Sequence, residues 1–155
     1  MNLYGLQQLV ESASTVRKNT ILIAEDIPEK DYGYRPTRES RSVAETLVHI
    51  ALLSQAARLL HKEASLENFN FGELVRKLEI EEQRPRSKNE KAELTEQVRM
   101  PGGALKIRFE VLLGTKEHEM HHRAQLTVIE RLLGIVPHLT RNRQLTAAAA
   151  AKVNA

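Results

Sequence analysis

An all-α fold is what the sequence predicts, on three observations. Glycine and proline together make up only twelve of 155 residues; aromatic residues are 4% and tryptophan is absent. That poverty of turn formers and rings disfavours a many-stranded sandwich or barrel. Apolar residues also recur at intervals of three and four over long stretches, the period of a helix with one buried face. A composition of 41% apolar and 28% charged residues suits a globular chain, and the length suits one domain.

The first helix is predicted over Leu3 to Glu25, with apolar positions at Leu3, Leu6, Leu9, Val10, Ala13, Val16 and Thr20 and then Ile21 to Ala24. It ends before Pro28, and Pro28 to Arg41, containing Gly33 and Pro36, reads as an irregular connection. Ser42-Val43-Ala44-Glu45 matches a capping box, in which hydroxyl and carboxylate each satisfy an orphaned amide of the first turn. A second helix follows to about Lys62, with Val43, Thr46, Leu47, Ile50, Leu53, Ala57 and Leu60 as its core face.

Asn70 with Glu73, and Ser87 with Glu90, open two shorter predicted helices, Phe71 to Gln83 and Lys88 to Val98, in a stretch dominated by Glu, Lys and Arg. Met100-Pro101-Gly102-Gly103 is a break, and a last long helix is predicted from Ala104 to Leu133 with Gly134 as its C-cap. Beyond Pro137 the Ala-rich run Leu145 to Ala155 carries no core pattern. The predicted domain therefore covers 1–143, leaving 144–155 as a frayed or disordered tail.

The net charge of +3 comes from both signs interspersed along the chain, with no basic stripe for nucleic acid. No apolar run approaches the ~20 residues of a membrane span, and the opening residues lack a basic stretch followed by an apolar core, so a cytoplasmic protein is expected. There is no cysteine. A metal site would have to use histidine and carboxylate, and any thiol chemistry would need sulfur from outside.

On the last long helix the predicted inward seam is Val111, Thr115, His118, His122, Gln125, Ile129 and Leu132. Its middle is polar where packing would favour Leu or Val, at a cost of ~1–3 kcal/mol for each unpartnered group. His118 and His122, at i and i+4, can turn both rings to one ion. Catalytic sites of this kind commonly use three protein ligands. His49, about two turns into the second helix, is the predicted third. His121 is the rival to His122, while His61 and His138 have no histidine at helical spacing. Glu45, Thr115 and Gln125 are candidates for the pocket lining or for orienting the ligands. Glu119, Lys116 and Arg123 read as a solvated charge network.

His118-Glu119-Met120-His121-His122 also satisfies H-E-x-x-H, in which the glutamate is the base of a metalloprotease. No downstream third ligand and no strand to hold a peptide accompany it, so this reading ranks below the others.

Three segments resemble the DinB-like (DinB/YfiT) superfamily of metal-dependent four-helix bundles: Asp31 to Thr37, Ser42 to His49, and Lys116 to Leu126 together with Gly134 and Pro137 to Arg141. The resemblance spans most of Leu3 to Arg143. It implies an antiparallel four-helix bundle holding a divalent ion, zinc or nickel, on histidines matching His49, His118 and His122. It also implies transfer or isomerisation with a low-molecular-weight thiol such as bacillithiol or mycothiol. Ala124 stands where the family commonly has glycine, and the region from Lys88 to Pro101 is short and polar for a third long helix. A shortened third helix would leave apolar surface open, so a homodimer is expected. The sequence thus predicts a metal-dependent thiol S-transferase or related hydrolase acting on a small molecule. The alternative is a non-catalytic, metal-stabilised bundle that docks a ligand or partner.

Overall fold

The computed structural model describes residues 5–60, 70 and 95–153. Among these are four α-helices, α1 (Leu6–Asp26), α2 (Val43–Leu60), α3 (Arg108–Leu132) and α4 (His138–Val153), with one 3-10 turn at Glu29–Asp31 and one hairpin of β1 (Gln97–Arg99) and β2 (Leu105–Ile107). The class is all-α. No helix among the described residues is long and apolar enough to cross a membrane. The chain divides into two compact units, Met1–Ser12 with His49–His118, and Ala13–Val48 with Glu119–Ala155.

In the first unit the Met100–Gly103 break is the turn of a hairpin. Met100 and Ala104 close it through a backbone hydrogen bond of 2.8 Å, and Gly102 and Gly103 take the left-handed φ values of 84° and 86° that the turn demands. Antiparallel pairing sets Gln97 against Ile107 and Arg99 against Leu105, with Val98 buried between two exposed neighbours. The pairing corrects two sequence expectations. Gln97 and Val98 are strand, not the end of a helix, and α3 starts at Arg108 instead of Ala104 because 105–107 are committed to the ladder. The buried Arg108 anchors this junction, its guanidinium bonded to Glu96 at 2.9 Å. Phe71–Gln83, most of Lys88–Val98 and His61 lie outside the described residues.

In the second unit the predicted capping box forms. Glu45 N–H donates to Ser42 Oγ (3.1 Å) and Ser42 N–H donates to Glu45 Oε2 (3.0 Å), so α2 begins where the sequence placed it. The irregular 28–41 connection is tied down by Tyr32, whose hydroxyl donates to the Ala24 carbonyl, and by backbone bonds from Val43 and Ala44 to Tyr34 and Tyr32. The core holds Val16, Ile23, Ile27, Val43, Leu126 and Ile129.

The buried face of α3 in this unit runs through Glu119, His122, Leu126, Ile129 and Glu130, so beyond His122 the expected seam keeps Ile129 but not Gln125 or Leu132. Gln125 and Leu132 are exposed. A seam stepped strictly by fours and threes averages 3.5 residues per turn, whereas a straight helix turns every 3.6 and drifts off it. Glu119 is likewise not solvated. It is 9% exposed, accepting from Arg17 Nη2 (2.9 Å) and Thr20 Oγ1 (2.8 Å) on α1, partners about a hundred positions away in the chain. Gly134, at φ 78°, ends α3, and α4 starts directly after Pro137. Helix α4 continues across residue 143 to Val153, and from Asn142 onward it is exposed.

Candidate metal centre

The capping box fixes the start of α2 and thereby the height of His49 along it. In the first unit His49 meets His118 of α3: their Nε2 atoms are 2.9 Å apart, with ring centroids at 5.0 Å and ring planes tilted by 57°. Both side chains are half-buried. Two nitrogens bound to one ion at about 2.0–2.1 Å are themselves separated by roughly 3 Å, so this spacing suits a shared cation as well as a ring-to-ring hydrogen bond.

Helix α3 is continuous through His118, and its own geometry sets His122 one turn further on. His122 is only 4% exposed. One ligand atom from each of His49, His118 and His122 lies within 4.8 Å of the other two. Three neutral imidazoles at this separation are a donor set fit for a divalent transition ion, and the set contains no carboxylate to select a harder one.

Gln125 contacts both neighbouring histidines. Its Oε1 lies 2.7 Å from His122 Nδ1, and its Nε2 lies 3.2 Å from His121 Nε2. An amide oxygen only accepts, so His122 carries its proton on Nδ1 and keeps the Nε2 lone pair for a ligand bond. His121 is exposed and accepts from the same amide. Gln125 borders a cleft of about 630 Å³ together with Pro36, Glu39, Arg41, Thr46, Val128 and Ile129. A cavity of that size accommodates a small organic molecule.

The other two candidates sit differently. Thr115 is half-buried and its hydroxyl bonds back to the Val111 carbonyl at 3.2 Å. Glu45 is exposed, with one carboxylate oxygen on the Ser42 amide and the other on Arg35. The Arg35 guanidinium first, then the Ser42 amide, lowers its pKa below the usual carboxylate value. Both oxygens are thus engaged away from His49. Glu119, the base of the H-E-x-x-H reading, is held by Arg17 and Thr20, which removes the part that a metalloprotease would need.

Sequence reasoning missed Glu130. It is fully buried on α3, neither of its carboxyl oxygens has a hydrogen-bond partner among the described residues, and its pKa is raised to about 7. Burial is the main cause and the neighbouring Asp26 carboxylate adds to it, while Arg141 and Arg131 oppose. The only signal in the sequence was an acid one position beyond an apolar stripe.

No protein-family model and no curated protein matches the chain. Solved structures do. A DinB-like protein of Bacillus subtilis, YjoA, is 25% identical, with a TM-score of 0.57 over 82% of this chain and 92% of its own. A candidate member of the DinB family from Exiguobacterium sibiricum is also 25% identical, with a TM-score of 0.50 over 83% of this chain and 90% of its own. The chain shares its helical architecture with these two DinB-like proteins over nearly the whole length of each.

Proposed function

We propose that the chain is a divalent-metal-dependent enzyme that uses an external low-molecular-weight thiol, of the bacillithiol or mycothiol type, in an S-transfer or related hydrolytic reaction. The observation that carries this reading is the approach of His49 and His118 Nε2 atoms to 2.9 Å, with His122 one turn along the same helix. Zinc or nickel is the proposed ion. When bound, it supplies Lewis acidity that turns a thiol or water into an anionic nucleophile near neutral pH.

The chain's own residues do the rest. His49, His118 and His122 bind as neutral rings, and Gln125 fixes the tautomer of His122. The cleft beside Gln125 receives the small substrate, with Thr46 and Ile129 in its wall and one acid, Glu39, and one base, Arg41, among its polar lining. With no cysteine in the chain, the sulfur is the cosubstrate's.

The test is turnover. Metal-loaded protein given a bacillithiol-type thiol and an electrophilic acceptor is expected to form the thioether above the uncatalysed rate, with His118→Ala reduced to background. If metal raises the melting temperature but neither transfer nor hydrolysis is detected, the non-catalytic ligand-docking reading replaces this one.

A further inference from the structure

The second unit contains another cleft, of about 310 Å³, where the C-terminal half of α3 meets the start of α4. Three arginines line it, Arg123 and Arg131 of α3 and Arg143 of α4, and no carboxylate does. An anion bound among them would be held by cations with no lining carboxylate to oppose it. Arg131 gives one N–H to the Thr127 carbonyl at 3.0 Å, which leaves four of its five donors unused by that bond. The side chains of Arg123 and Arg143 have no partner among the described residues.

The start of α4 points the same way. The cleft takes in the first turn of α4, a helix of sixteen residues, whose leading amides and dipole favour negative charge. His138, at that first turn, is only 6% exposed and lines the cleft, its Nε2 lying 3.2 Å from Asn19 Oδ1. Ala124, Val128 and Leu139 give the cleft an apolar wall beside the cations.

We infer that this cleft is a binding site for a small phosphate-bearing molecule, separate from the histidine centre. Three guanidiniums with no acid among them match a doubly charged oxyanion, planar nitrogen forks being suited to phosphate oxygens. The volume, at the low end for ligand sites, fits a phosphomonoester of a few carbons whose chain lies on the apolar wall.

Isothermal titration calorimetry at low ionic strength tests this with inorganic phosphate, glycerol phosphate and succinate. The two phosphates are expected to bind saturably at one site per chain. Arg123→Gln and Arg143→Gln should each weaken that binding about ten-fold, as loss of a charge-assisted hydrogen bond does, with unchanged melting temperatures. His118→Ala should leave it intact, which separates this inference from the proposed metal chemistry. Absence of saturable phosphate binding, or equal binding by both arginine variants, would overturn the site. Succinate binding as tightly as phosphate would overturn the assignment to phosphate.

Discussion

Glu130 occupies a position where an apolar residue would cost less. Its carboxyl is buried without a hydrogen bond, and Asp26, close by, is already bound by both oxygens to Arg141 Nη2 at 2.7 and 2.8 Å. Because burial raises its pKa to about 7 from 4.5, the folded chain keeps a proton through that window that the unfolded chain has released. Stability attributable to this group therefore falls as pH rises from about 4.5 to 7 and levels off above, by at most about 3 kcal/mol. Glu130→Gln removes the ionisation and keeps the shape. Urea denaturation should show the variant more stable than the parent at pH 8 and nearly equal to it at pH 5; the same difference at both values would contradict the assignment.

At this scale the sequence reveals the candidate ligands better than the residues around them. His118 and His122 stand out because i, i+4 spacing is local and their rings interrupt an apolar pattern. Glu119 and Glu130 do not, since what decides their state lies across the fold. Arg17 is 102 positions from Glu119, and Asp26 and Arg141 belong to helices other than that of Glu130.

Among elements, α2 matters most, since its register sets His49. Ser42, 4% exposed, accepts the Glu45 amide while its own amide is taken by the Glu45 carboxylate. Ser42→Ala loses one half of this exchange and should cost about 1 kcal/mol, or some 2–4 °C in melting temperature. An unchanged melting temperature in calorimetry would mean that the cap contributes nothing.

The cap was legible because its four residues are contiguous. The hairpin was not. Its strands are three residues each, too short for alternation to register, and Met100 to Gly103 punctuates a helix end as readily as a turn. On α3 the inward positions were legible at His122 and Ile129 but not at Gln125 and Leu132, which the difference between the 3.5 and 3.6 periods carries off the buried face.

For the molecule as a whole, the helical class follows from composition and is matched by the two solved DinB-like structures. Its surface in the second unit is less ordinary. Leu132, Val136 and Leu145 are 56, 47 and 69% exposed, apolar positions at the end of α3, in the connection after it and on α4. We propose that this surface supports the homodimer expected from the sequence, since exposed apolar area favours association. Sedimentation equilibrium should give twice the chain mass, and a monomer at micromolar concentration would refute it.

The claim on which the chemistry rests is that three histidines bind one ion. Elemental analysis of untagged protein, purified without a nickel column, measures it directly. We predict close to one equivalent of zinc or nickel per chain, lost in His118→Ala while the variant remains folded. Metal-free protein that takes up no divalent ion, or a His118→Ala variant that keeps a full equivalent, would contradict the account.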